Sequence, residues 1–121
     1  LQWLFGKVEG VEVHVDEPTR CAAYMELERA RVQWYMSVAL EDVPQAAREA
    51  QRTTYRSITI DGAEIEFSDG FRDLHTRGYE EVLEGRGFGI EDIRPSIELA
   101  HDIRNAAPRG WTARSHPFVQ R

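Results

Sequence analysis

Cys21-Ala22-Ala23-Tyr24-Met25-Glu26-Leu27 and, four residues later, Val32-Gln33-Trp34-Tyr35-Met36-Ser37-Val38 are the stretches on which the fold turns. Cys21, Ala23, Met25 and Leu27 alternate with Ala22, Tyr24, Glu26 and Glu28. Val32, Trp34, Met36 and Val38 alternate with Gln33, Tyr35, Ser37 and Ala39. A period of two gives each strand one apolar face and one more polar face. Upstream, Val11-Glu12-Val13-His14-Val15 has the same alternation, and places His14 on the polar face as an ordinary surface residue. Downstream, Ser57-Ile58-Thr59-Ile60, extended back through Tyr55 and Arg56, and Ala63-Glu64-Ile65-Glu66-Phe67 repeat it. Asp61-Gly62 joins these last two strands as a hairpin, because both residues tolerate positive φ. Glu41 to Pro44 is a polar break. Gln45 to Gln51 reads equally as a short helical turn or a loop.

The period then changes. Phe71, Leu74, Tyr79, Val82 and Leu83 recur at helical steps, with Ser68 or Asp69 as N-cap and Gly85 and Gly87 as the stop. Asp92 opens a second helix with Pro95 in its first turn, and Ile93, Ile97, Ala100 and Ile103 form its buried stripe. Pro108 and Gly110 end regular structure, and the tail from Trp111 is too polar to build a core by itself. At the other end, Leu1, Leu4 and Phe5 fall at helical spacing and Gly6 sits where a C-terminal cap belongs, with no N-cap before Leu1. This predicts a piece of a longer chain, starting inside a helix. Strands followed by helices predict an α+β fold: an open, mostly antiparallel sheet with both helices on its apolar face. The apolar face would carry Cys21, Met25, Leu27, Val32, Trp34, Met36, Ile58, Ile60, Ile65 and Phe67.

Composition narrows the function. Leu, Ile, Val and Phe supply 28 of 121 residues, above the level of disordered chains. No apolar run reaches the ~20 residues of a bilayer span, and Leu1 to Gly6 lack the basic region and length expected of a signal peptide. One cysteine, Cys21, leaves no internal disulfide and no cysteine zinc site, and fits a reducing cytoplasm. The net charge of −6 argues against a nucleic-acid surface. Charge is unevenly placed: ten acids and three arginines between Asp61 and Asp92, then four arginines and no acid from Arg104 to Arg121.

Chemistry is sparse. Gly85-Arg86-Gly87-Phe88-Gly89 follows a helix rather than a strand, so it reads as a helix connection and not a dinucleotide loop. The four histidines lack metal-ligand spacing. His75, in Asp73-Leu74-His75-Thr76, is either a packing histidine or a ligand contact. Ser37 has no triad around it. Tyr24, Tyr35 and Tyr55, with Ser37 and Ser57, give the outer sheet face an uncharged, aromatic character that suits an interface.

Four segments taken together resemble a known family. They are Leu27-Glu28-Arg29-Ala30-Arg31-Val32-Gln33-Trp34, then Tyr55-Arg56-Ser57-Ile58-Thr59-Ile60-Asp61-Gly62, then Phe71-Arg72-Asp73-Leu74-His75-Thr76 through Tyr79-Glu80-Glu81-Val82-Leu83, and finally Gly87-Phe88-Gly89-Ile90-Glu91-Asp92-Ile93-Arg94-Pro95-Ser96-Ile97-Glu98. Over residues 1 to 106 the chain resembles the C-terminal half of Gfo/Idh/MocA oxidoreductases. It is most similar to the dehydrogenases of the sugar 3-hydroxyl of UDP-N-acetylglucosamine or its glucuronic acid. The resemblance implies a two-domain NAD-dependent parent enzyme with a Rossmann domain upstream of Leu1. The catalytic lysine and histidine of the family would also lie upstream, so no catalytic, cofactor-binding or metal residue is expected here.

It further implies that residues 1–106 form a substrate-binding and oligomerisation domain with 107–121 as a tail. A UDP-sugar would be the substrate, and copies would pair as homodimers or homotetramers through the sheet face, with Tyr24, Tyr35, Ser37, Tyr55 and Ser57 as interface residues. His75 and Thr76 match the family helix that approaches the active site. Arg31 and Arg56 are candidates for phosphate or carboxylate contacts by charge, and each also reads as an ordinary salt-bridge arginine. The alternatives are a stand-alone oligomeric scaffold without catalysis and, with no acid–base constellation to support it, a free-standing small enzyme.

Overall fold

Val13 and Ala23 meet across the middle of a three-stranded antiparallel sheet whose strand order follows the chain. The computed structural model describes residues 1–70 and 73–120. Its strands are β1 (Val8–Asp16), β2 (Arg20–Leu27) and β3 (Ala30–Ser37). A separate two-stranded sheet pairs β4 (Ser57–Ile60) with β5 (Ala63–Glu66). The helices are α1 (Gln2–Phe5), α2 (Gln45–Glu49), α3 (Leu74–Leu83) and α4 (Ile90–Asn105), with 3₁₀ turns at Leu40–Asp42 and Pro117–Gln120. The chain divides into two compact units: Leu1–Val38 with everything from Ile90 onward, and Ala39–Gly89. It is α+β with antiparallel pairing, as the alternation requires.

In the first unit the register builds two distinct faces. Val11 pairs with Met25 and Val13 with Ala23, while Ala23 and Met25 face Trp34 and Val32 on β3. These make one face. Glu12 pairs with Tyr24, and Ala22 and Tyr24 sit beside Tyr35 and Gln33, making the other. The β1–β2 register shifts between Val13 and Val15, so Val15 lands opposite Ala22. The strict alternation read from the sequence therefore breaks at His14, in the manner of a β-bulge.

Burial is concentrated in β2. Ala22, Ala23, Tyr24 and Met25 are consecutive and all buried, so the central strand is covered on both faces. The polar face is covered by residues 109–120. Arg109 N–H donates to Val13 O at 2.9 Å. Farther along, the His116 ring stacks on Tyr35 at 5.7 Å, and Phe118 meets Tyr35 edge-on at 5.6 Å. Within this segment Thr112 and Ser115 lock a turn: Thr112 N–H donates to Ser115 Oγ and Ser115 N–H to Thr112 O. The tail is too polar to form a core alone, yet it closes one on the sheet.

Several expectations are corrected. His14 is not surface; at 2% exposure it is buried beneath the segment just described. Helix α3, in the second unit, buries no residue of the expected stripe among those described; Phe71 lies outside the described residues. The helix starts after Asp73 rather than after Ser68 or Asp69, because Ser68 Oγ is already accepting the Arg56 N–H. Helix α4 does pack along β1, with only Ile103 of the expected stripe turned inward. Leu99, Ile103 and Ala106 are half-buried, while Ile90, Ile93 and Ile97 stay exposed. Gln2 sets this phase: its Nε2 donates to Pro95 O at 3.3 Å and its Oε1 accepts from Ser96 Oγ at 3.0 Å. The helix begins at Ile90, two residues before Asp92, which leaves Pro95 inside it rather than in its first turn. The apolar residues also split: Met25 and Leu27 are core, whereas Met36, Ile60, Ile65 and Phe67 are exposed.

Other local signals read correctly. Asp61 (φ 49°) and Gly62 (φ 85°) form the β4–β5 turn. Gly6 adopts φ 88° and its N–H donates to Gln2 O, closing α1. Gln45–Glu49, left open by the sequence, is a helix ended by Gln51 at positive φ.

The burial contrast predicts a stability contrast. Met25→Ala should cost about 2–5 kcal/mol, and Met36→Ala less than about 0.5 kcal/mol, in urea unfolding. Met25 is 4% exposed and Met36 67%. A double-mutant cycle with Tyr35→Leu and Phe118→Leu should give a coupling of about 0.5–1.5 kcal/mol, the range for an aromatic pair.

Candidate functional site

The densest polar cluster lies on the covered face of the first sheet. The Glu12 carboxylate is its centre. His14 Nε2 approaches Glu12 Oε1 at 3.0 Å, and Thr112 Oγ1 donates to the same oxygen at 3.3 Å. Arg109 and Arg114 stand beside Oε2 at 3.6 and 3.9 Å. The hydrogen bond from His14 and the charge of Arg109 hold Glu12 below the usual carboxylate range, against the opposing pull of burial. Arg114 also lies over the Tyr24 ring, 5.3 Å from its centre, and Tyr24 Oη donates to Glu26 Oε1 at 3.1 Å.

The Glu12–His14–Thr112 grouping is not a proton-relay triad. A relay needs the nucleophile on one ring nitrogen and the carboxylate on the other. Here Thr112 Oγ1 (3.2 Å) and Glu12 Oε1 share Nε2, while Nδ1 is buried without a partner. The cluster therefore binds the terminal segment to the sheet. Glu12, Thr112, Ser115, Arg109 and Arg114 carry no mark of this role in isolation. The one local signal is the Thr112–Ser115 spacing, which suits a side-chain-closed turn.

The sequence-predicted site residues fall into both units. Arg31 is exposed on β3, opposite Glu26. Arg56, His75 and Thr76 belong to the second unit. His75 and Thr76 are exposed in the first turn of α3, so the packing alternative for His75 is set aside. Arg56 is held at the hairpin: its N–H donates to Ser68 Oγ at 2.8 Å, its O accepts from Phe67 N–H at 2.9 Å, and Nη1 reaches Ser68 O at 3.4 Å. Beside it, Tyr55 Oη donates to Glu64 Oε1 at 2.7 Å, which raises the Tyr55 pKa and lowers that of Glu64. Arg52 pairs with Glu66. The hairpin thus anchors the Arg56 backbone and leaves its side chain exposed.

The expected interface residues divide as well. Tyr24 is buried and Tyr35 half-buried against the chain's own residues 109–120, a correction that follows from Arg114, His116 and Phe118 occupying that face. Ser37 ends β3, whereas Tyr55 and Ser57 belong to the separate hairpin sheet. The five do not form one surface of one sheet.

An open groove of about 630 Å³ lies between α1, the start of β1 and α4. Glu9, Glu28, Glu98 and Asp102 line it against a single Lys7, a charge balance that repels a nucleotide diphosphate. Gly85 to Gly89 runs from α3 directly to α4 with no strand before it, so the glycines do not form a dinucleotide cradle. Among the described residues, no group of three His, Cys, Asp or Glu side chains is placed to hold a metal ion, and no helix is long and apolar enough to cross a membrane.

No family model matches the chain. Solved structures do. The WlbA (WbpB) dehydrogenase of Thermus thermophilus, in complex with NAD and α-ketoglutarate, superposes with a TM-score of 0.91. The same enzyme in complex with NAD and UDP-GlcNAcA gives 0.90. Each is 44% identical over 98% of this chain, and the match spans 38% of the enzyme. At that identity and coverage the likeness extends to sequence as well as fold: over almost all its length, the chain is a relative of one portion of the WlbA (WbpB) dehydrogenases.

Proposed function

We propose that this chain is the substrate-binding and assembly part of an NAD-dependent dehydrogenase acting on the 3-hydroxyl of a UDP-N-acetylated hexose or hexuronic acid. The observation that carries the reading is the 44% identity, across 98% of the chain, to a dehydrogenase solved with NAD and UDP-GlcNAcA. Residues 1–106 would be the domain proper, and 107–121 the segment that finishes its sheet. The cofactor would be held by polypeptide outside these residues, because they offer no dinucleotide cradle. A cytoplasmic location and pairing as homodimers or homotetramers belong to the same reading. With Tyr24 and Tyr35 already covered, such pairing would engage the outer surface of residues 109–120 rather than bare tyrosine rings.

The substrate in this reading is anionic, which directs attention to cations and donors outside the acidic groove. Arg56, His75 and Thr76 are exposed in one unit, and Arg31 is exposed in the other. A guanidinium suits a phosphate or carboxylate by charge and by its fork of donors. His75 and Thr76 can donate to sugar hydroxyls from a helix whose first turn leaves backbone N–H groups unpaired.

Two measurements test this. The full-length protein carrying this chain should reduce NAD when supplied with UDP-GlcNAcA or UDP-GlcNAc, followed by NADH absorbance, while the 121-residue chain alone should show no saturable NADH binding by fluorescence. Absence of turnover with both sugars, or micromolar NADH binding by the isolated chain, overturns the reading. In the full-length protein, His75→Ala should leave the melting temperature unchanged and lower kcat/KM about five-fold, the value of one hydrogen bond of about 1 kcal/mol.

A further inference from the structure

Residues 109–120 meet the sheet through the Arg109 N–H on Val13 O, the Tyr35–His116–Phe118 rings and a polar cluster centred on one carboxylate, Glu12. Three of the four groups gathered at Glu12 come from this segment: Thr112 Oγ1 at 3.3 Å, Arg109 Nη1 at 3.6 Å and Arg114 Nη1 at 3.9 Å. The fourth, His14, is its neighbour on β1 and also bonds Thr112. From Arg104 to the end the chain contains arginines and no acid, so the segment supplies no counter-charge of its own. Its upstream connection follows the end of α4 and contains Pro108, and the segment's own second residue, Gly110, adopts φ 73°. Beneath it lie Ala22 and Tyr24, buried, and Tyr35.

We propose that residues 109–120 form a releasable strap whose seat is governed by the charge of Glu12, so that neutralising this carboxylate lifts the strap and uncovers the Tyr24–Tyr35 face. Protonation removes the attraction for both guanidiniums at once and replaces an acceptor of several bonds by a group that must itself donate. His14 cannot compensate, because its Nδ1 is buried without a partner and Nε2 is already committed to Glu12 and Thr112. The charged and titratable groups that bear on Glu12 are His14 on β1 and Arg109 and Arg114 on the strap; Glu26 on β2, Arg31 on β3 and Arg114 bear on its cross-strand partner Tyr24, and His116 stacks on Tyr35. Glu98 and Asp102 of α4 reach β1 only at the groove lined by Glu9 and Gly10. On the neighbouring strand, Glu26 accepts from Tyr24 Oη.

The sign of the pH effect follows from Glu12 ionising more readily in the folded protein than as an ordinary glutamate. Its contribution is fully present above the unfolded value and is lost as pH falls through the lower folded value. The strap is therefore seated at neutral pH and released in acid.

Hydrogen exchange by mass spectrometry on the whole protein tests this, comparing amides of 109–120 with those of β2 and correcting for intrinsic exchange. On acidification the strap should lose protection about ten-fold for each pH unit over which Glu12 titrates, while β2 stays protected. Glu12→Gln should show the released strap at neutral pH, with no further change in acid. An Arg109→Gln, Arg114→Gln double variant, which leaves β1 intact, should loosen the strap at neutral pH as well. The proposal is overturned if Glu12→Gln keeps wild-type strap protection at neutral pH. It is equally overturned if the strap and β2 lose protection together on acidification. Should Glu12→Gln fail to fold, the double variant and the wild-type pH series decide alone.

Discussion

The first unit depends on the burial of one strand from both sides. Ala22, Ala23, Tyr24 and Met25 are successive residues of β2, so their side chains point alternately to opposite faces. Such a strand is stable only when both faces are covered, and a three-stranded sheet cannot do this by itself. Here α4 packs along β1, and residues 109–120 close the face that carries Tyr24. The small side chains of Ala22 and Ala23 give neighbours close access to this strand. Glu12 and His14, two residues apart on β1, both meet the closing segment through Thr112.

Closing a polar face requires that its polar groups find partners, since an unpaired buried donor or acceptor costs about 1–3 kcal/mol. The cluster at Glu12 meets most of that demand. Thr112 bonds both Glu12 and His14, Ser115 satisfies the Thr112 N–H, and the two arginines sit at the solvent edge of the carboxylate. Among the described residues, His14 Nδ1 on this face is buried without a partner, as is Trp34 Nε1 on the opposite one. The aromatic group of Tyr35, His116 and Phe118 extends the contact past the charged centre.

The functional reading draws on a different set of residues. Arg56 is positioned by hairpin backbone bonds that leave its guanidinium exposed, and His75 and Thr76 by the first turn of α3. The groove beside α4 has the wrong charge for a nucleotide, and the glycines between α3 and α4 have the wrong setting for a dinucleotide. What ties the chain to redox chemistry is its kinship with a dehydrogenase 38% of whose length it spans.

The sequence by itself determined the local elements. Period-two alternation marked all five strands, Asp61-Gly62 marked their hairpin, and Gly6 marked the end of the first helix, because these signals act through a residue's own φ, ψ and its nearest neighbours. The quoted segments also carried the family resemblance and pointed to His75, Thr76, Arg31 and Arg56. Tertiary structure alone decided what covers each face. Alternation says which side chains share a side, but not whether helix, strap or water lies over them. Thr112 reaches Glu12 across 100 residues of sequence, and Ser96 reaches Gln2 across 94, separations at which no local pattern constrains the partner. That is why His14 was read as surface and is buried, why Tyr24 and Tyr35 were read as an interface and are covered from within, and why α4 turns Leu99 inward beside Ile103 while Ile93 and Ile97 stay exposed.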